Sequence, residues 1–198
     1  MEKIARNYSN TFWHIIDVMS YNFEIIAKYY HKYIGIEYEK EMNYFKLSKY
    51  KKVLHIGMGA YPITAITLSK NNGMKISGVD RNPFSVELSK KIIKEKKLEN
   101  KIKVINKEGE NTILKKYDLI IVSGCSVPKI KVLNHVFKNA DAGCKILVRE
   151  GNNTTCDFLS FLKKNKIEII DKYICKPKYT SGWVSYMLEK KLTNSHHP

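Results

Sequence analysis

The sequence predicts an α/β fold: a mostly parallel seven-stranded sheet with a C-terminal antiparallel hairpin, preceded by short N-terminal helices. Three observations lead there. From Val53 onward, short apolar runs alternate with helical segments, the pattern of a parallel sheet covered on both faces. A G-x-G turn, Gly57 and Gly59, closes the first run, and Asp80 closes the second. The last two runs, 167–175 and 182–190, have no helix between them, only KPKYTSG with its proline and glycine turn signals.

At 198 residues the chain is long enough for one well-buried domain with a small helical appendage. We divide it into a helical cover over 1–50, a ligand-binding α/β domain over 51–192 and a tail over 193–198. In the cover, Phe12, Ile15, Ile16, Met19, Phe23, Ile26 and Tyr30 recur at helical spacing, so one helix is expected over 10–33. Ser9, Asn10 or Thr11 would cap it, and Gly35 would end it before a second helix over 37–48. In the sheet, strands are expected at 53–57, 75–80, 102–106, 118–123 and 144–149, then the hairpin. Helices at 62–72, 83–97, 129–139 and 155–165 fill the gaps.

The glycine turn departs from the dinucleotide fingerprint, because Pro62 stands where the third glycine belongs. Proline suits the first turn of a helix, so Pro62 is expected to start the helix over 62–72. A pyrophosphate against that helix start is then disfavoured, whereas Gly57, Met58 and Gly59 still let a ligand approach the backbone. Asp80, followed by Arg81, lies where a carboxylate accepts from both hydroxyls of a ribose. Asn82 and Pro83 cap and start the next helix. After the third strand, Glu108 and Gly109 lie where enzymes that bind S-adenosyl-L-methionine place an acidic or polar residue beside the adenine, with Glu110 as the reserve acid. After the fourth, SGCSVP puts Ser123 and Gly124 at the carboxyl edge of the sheet, where open α/β sheets bind ligands. Small residues there leave room for the methionine part of S-adenosyl-L-methionine (SAM). Five β-α units, a G-x-G turn and a terminal hairpin describe a Rossmann-like class I SAM-dependent methyltransferase fold better than a dehydrogenase domain.

The run GMGAYPITAITLSKNNGM, through Gly57, Gly59, Pro62, Thr64, Ile66, Leu68, Ser69, Gly73 and Met74, resembles the nicotianamine synthases, especially their archaeal branch. The similarity continues through ELSKKI, Pro128-Lys129 and Arg149. The resemblance implies transfer of a 3-amino-3-carboxypropyl group from SAM to an amine of a small molecule, releasing methylthioadenosine. Pro62 and Thr64 would then belong to the SAM site. The family's long helical N-terminal domain carries its catalytic glutamate, and only about fifty residues precede the first strand here. Glu24, with Tyr21 beside it, is our candidate for the base; Glu37, Glu39 and Glu41 are weaker ones. Arg149, through a guanidinium fork, and Tyr179 in the hairpin turn are candidate substrate contacts.

Methyl transfer to a small molecule or RNA is the alternative activity, and a SAM-binding module without catalysis is a third. The net charge of +16 invites RNA. Against RNA, nearly all the cations are lysines, with arginine only at Arg6, Arg81 and Arg149, and no N-P-P-Y target-base motif appears. Nucleic acid is therefore not the favoured partner. The four cysteines form no C-x-x-C pair, so free thiols and no metal site are expected. No apolar run reaches the ~18 residues of a membrane span, and no signal peptide is recognisable. The expected location is the cytoplasm.

Overall fold

The structure, a computed structural model, describes residues 2–151 and 155–189, without the side chains of residues 2–10, 13, 24 and 155. The tail over 193–198, with His196 and His197, and the cap candidates Ser9 and Asn10 as side chains lie outside that description.

Seven strands form one sheet: β1 (Lys52–Ile56), β2 (Lys75–Asp80), β3 (Ile102–Asn106), β4 (Leu119–Val122), β5 (Lys145–Gly151), β6 (Ile169–Cys175) and β7 (Trp183–Glu189). Their order is β3-β2-β1-β4-β5-β7-β6. The first five run parallel, and β7 enters antiparallel between β5 and β6. The central strands are apolar on both faces because helices cover both; all four residues of β4, Leu-Ile-Ile-Val, are buried. β6 is the contrast: an edge strand, largely exposed, that carries Asp171 and Lys172 and a register shift between Ile169 and Asp171. Charge and irregularity are what blunt an open edge. Strand order reverses between β1 and β4, which places a crevice outside their carboxyl ends.

The helices over the sheet are α4 (Ile63–Leu68), α5 (Pro83–Glu95), α6 (Lys129–Asn139) and α7 (Thr155–Lys164). α5 starts as expected: Asn82 accepts from the Phe84 amide at 3.0 Å and Pro83 takes the first turn. α4 requires a correction. Pro62 has φ −79° and ψ 53°, outside helical geometry, and its carbonyl accepts from the Ile66 amide. It is thus the residue before the helix, and α4 runs only from Ile63 to Leu68.

The cover also differs from the expected single helix. α1 (Glu2–Asn22) and α2 (Glu24–Tyr30) are separated at Phe23, whose backbone is extended at φ −129° and ψ 108°. Gly35 does not stop the chain; at φ −58° and ψ −39° it closes a π-helical turn, His31–Gly35, that leads directly into α3 (Ile36–Tyr44). Most of the apolar stripe of α1 faces away from the sheet: Phe12, Ile15 and Met19 are exposed and Ile16 is half-buried against the aromatic cluster of the cover, whereas Asp17 and Ser20 are buried. The physical reason is the surface that α1 meets. It sits over the backbone of the glycine turn, whose free N–H groups ask for an acceptor, and Asp17 supplies one. No helix among the described residues is long and apolar enough to cross a membrane.

Candidate active site

The carboxyl ends of β1 and β2 are tied together by the turn itself. The amides of Gly57 and Met58 both donate to the Val79 carbonyl, at 2.9 and 3.1 Å. Gly57 and Gly59 adopt φ +78° and +76°, which favours glycine at both. Space enforces the same choice. A Cβ at Gly57 would fall 2.5 Å from Ser126 Oγ, and one at Gly59 would fall 2.5 Å from Asp17 Oδ2. The Met58 side chain is buried in the core over Gly78, so only its backbone belongs to the turn.

Asp80 bridges the turn to the start of α5. One carboxylate oxygen accepts from the Gly59 amide at 2.8 Å and the other from the Asn82 amide at 2.9 Å. Each oxygen retains capacity for a further donor. Gly57, Asp80, Arg81, Lys107, Gly109, Cys125 and Ser126 line one cleft at this edge. The structure therefore brings Gly57, Asp80, Arg81 and Gly109 together, as the sequence reading expected. Glu108 does not line that cleft; it is exposed and precedes the short 3-10 turn Gly109–Asn111. Ser123 and Gly124 are half-buried just beyond β4.

Above the turn, the cover contributes a buried carboxylate that the sequence reading passed over. Asp17 Oδ2 accepts from the Ala60 amide at 3.0 Å, and the carboxylate is also bonded to the Tyr61 backbone and the Tyr30 hydroxyl. Burial pushes its pKa up to about 7, despite those hydrogen bonds. Burial and the neighbouring Asp17 also push Tyr30 well above the ordinary tyrosine value, so it stays a neutral donor. Tyr38, likewise raised to about 12 by burial, completes an aromatic and polar roof with Tyr61, which bonds His31 at 2.8 Å. A carboxylate and a tyrosine thus meet at the turn, but they are Asp17 and Tyr30. Tyr21 is half-buried in the aromatic cluster of the cover. Glu24 opens α2, and its side chain lies outside the described residues.

Arg149 is not an open fork for a substrate. It is buried, and Glu41 occupies it: Nε lies 3.0 Å and Nη2 2.5 Å from the Glu41 carboxylate, while Nη1 donates to Thr64 Oγ1 at 2.8 Å. Tyr38 stacks on the guanidinium, 4.1 Å from its ring centroid. Ser185 donates to the same glutamate, and the Trp183 indole N–H reaches it at 3.4 Å. Burial opposes the charge on Arg149, but Glu41 more than offsets it and drives the guanidinium pKa upward. Thr64 is accordingly a partner of Arg149 in this arrangement. Tyr179 is exposed in the hairpin turn and packs edge-on against Tyr33, with ring centroids 4.7 Å apart.

Comparison with known proteins follows the same lines. A glutamate-to-glutamine variant of MtNAS in complex with S-adenosylmethionine matches with a TM-score of 0.70 at 19% identity, over 96% of this chain and 77% of that one. MtNAS in complex with MTA and tNA matches with 0.70 at 17%, over 96% and 74%. The methyltransferase StiE O-MT follows with 0.60 at 15%, over 78% and 74%. These likenesses establish the fold, a class I SAM-dependent methyltransferase fold. A search among curated proteins finds no match by sequence. The family model described as nicotianamine synthase protein, however, matches residues 12–179. Because that match spans most of the chain, from the helical cover through the glycine turn to the connection of the terminal hairpin, the chain belongs to the nicotianamine synthase family.

Proposed function

We propose that this protein moves a 3-amino-3-carboxypropyl group from SAM to an amine of a small molecule, with Asp17 as the base. Membership of a family that performs this transfer supports the reaction, and the buried Asp17–Tyr30 pair above the glycine turn carries the mechanism. The residues at the crevice fit SAM. Asp80 offers acceptors to ribose hydroxyls, Gly109 and Cys125 line the same cleft, and Arg81 and Lys107 rim it. SAM supplies a sulfonium leaving group, so carbon–sulfur cleavage needs no acid from the protein. What the protein adds is placement of the nucleophile and removal of its proton. An amine attacks the chain carbon next to sulfur, the C–S electron pair stays on sulfur, and methylthioadenosine leaves. Asp17 accepts the proton that the amine sheds. With a pKa near 7, it is ionised enough to act and basic enough to hold that proton. Tyr30, a neutral donor to Asp17, orients the carboxylate.

The test is the adenosine product. Incubation with SAM and a set of small-molecule amines is expected to give methylthioadenosine, read by mass; S-adenosylhomocysteine instead would assign methyl transfer. On the binding side, Asp80→Ala is expected to weaken SAM binding by roughly tenfold or more, the value of hydrogen bonds to a charged group. Equal SAM affinity in calorimetry for Asp80→Ala and wild type would remove Asp80 from the site.

A further inference from the structure

One polar side chain in the sheet core serves no function described so far. His55, the fourth residue of β1, is only 2% exposed and lies between apolar neighbours in the ladder, with Ile121 opposite it. A histidine there is costly unless both ring nitrogens are served, and only one is. Nε2 lies 2.7 Å from Ser123 Oγ, while Nδ1 has no partner among the described residues.

The charge and tautomer of the ring follow from its surroundings. Burial, reinforced by the Arg149 guanidinium, lowers its pKa to about 3, so the imidazole is neutral at neutral pH. A neutral imidazole carries one N–H. On Nδ1, that N–H would be a buried donor with no acceptor. On Nε2 it bonds Ser123, and only a bare lone pair is left unserved. Orphaned buried N–H groups are the rarer and costlier of the two. The proton therefore sits on Nε2, and Ser123 Oγ is the acceptor in the pair.

That assignment decides what Ser123 can do. With Oγ receiving from His55, the hydroxyl hydrogen is directed away from the ring, so the serine meets a ligand as a donor. Its location is also set. Ser123 follows β4, its amide donates to the Ile56 carbonyl at 3.0 Å, and its Cβ lies 3.3 Å from where a Cβ on Gly57 would be. Ser123 is thus half-buried with its Cβ against the glycine turn, beyond the end of β4 and on the far side of β1 from Asp80. An oriented neutral donor at that point suits an anion.

We propose that Ser123 donates a hydrogen bond to the α-carboxylate of the aminocarboxypropyl chain, and that His55 is the positioning residue fixing the serine as a donor. This rests on the SAM reading above. It makes Ser123 a determinant of specificity for carboxylated over decarboxylated SAM.

Equilibrium binding of SAM and of decarboxylated SAM to the intact protein, by calorimetry, tests it without turnover. Wild type is expected to prefer SAM. Ser123→Ala should erode that preference roughly tenfold to a hundredfold, the value of a hydrogen bond to a charged group. Affinity for decarboxylated SAM should barely change. Ser123→Thr, which keeps the hydroxyl, should retain the preference. His55→Gln, which can still donate, should keep more of it than His55→Phe, and His55→Phe combined with Ser123→Ala should add little to either alone. Equal weakening for both ligands in Ser123→Ala would mark Ser123 as structural and overturn the proposal. Undiminished preference in that variant would overturn it as well, while leaving the SAM reading intact. Failure of wild type to bind either ligand would instead bring down the SAM reading and this assignment with it.

Discussion

Replacing Glu41 with alanine is expected to lower unfolding free energy by about 3–5 kcal/mol, the range for breaking one partner of a buried ion pair. The size comes from what stays behind. Arg149 is buried, and without Glu41 its guanidinium would keep, among the described residues, Thr64 as a hydrogen-bond partner and Tyr38 as a stacking surface. Ser185 and the Trp183 indole would lose their acceptor at the same time. The measurement is a urea unfolding curve, in which the midpoint should fall sharply. A double variant, Glu41→Leu with Arg149→Met, should be more stable than Glu41→Ala, because no uncompensated charge remains. A Glu41→Ala protein as stable as wild type would mean that the pair contributes nothing.

Asp17→Asn is expected to reduce kcat by about 100- to 10,000-fold, the usual span for loss of a general base. The pH profile separates this from a structural effect. In wild type, activity should rise with pH through about 7 as Asp17 ionises, and the asparagine variant should lack that limb. Stability should move the opposite way. The folded-state pKa of Asp17 is raised above its ordinary 3.8, so the folded protein holds this proton more tightly than the unfolded chain. The stabilisation is complete below about pH 4 and is lost as pH rises through about 7. Three pH units of displacement correspond to about 4 kcal/mol, as an order of magnitude. Asp17→Asn should show no such decline between pH 4 and 7. A wild-type acid limb that persists in Asp17→Asn would assign the base elsewhere, with Glu24 next in line. The ionised form that catalysis needs is thus the less stable form of the fold.

The elements whose signals are local were legible in the sequence. Alternating runs gave the strands, Asn82-Pro83 gave the start of α5, and the proline-glycine connection gave the antiparallel hairpin. Gly57, Asp80, Arg81 and Gly109 could be placed together because register along the chain carries them to one edge. What the local pattern did not reach was which face of α1 meets the sheet. Periodicity shows that α1 has an apolar stripe, not that the stripe turns inward; at a backbone-rich edge a polar face can win. Asp17 was visible only as an interruption of that stripe. The pairing of Arg149 was hidden for a similar reason. Its partner Glu41 is 108 residues away, and no local pattern announces so distant a pairing. His55 lies inside the expected strand over 53–57, where no local pattern marks it out.

The Glu41 pair has a consequence for how the molecule opens. Glu41 belongs to α3, while Arg149, Trp183 and Ser185 belong to β5 and β7, so the bonds of one carboxylate join the cover to both strands. α3 cannot lift alone without stranding a buried charge, and its amides should exchange with deuterium only as slowly as those of β5. α1 leans on the turn chiefly through Asp17, and its amides should exchange earlier, by local opening. The cover is then two layers of different persistence: one that unfolds with the sheet, and one free to part from the glycine turn while the sheet stays folded.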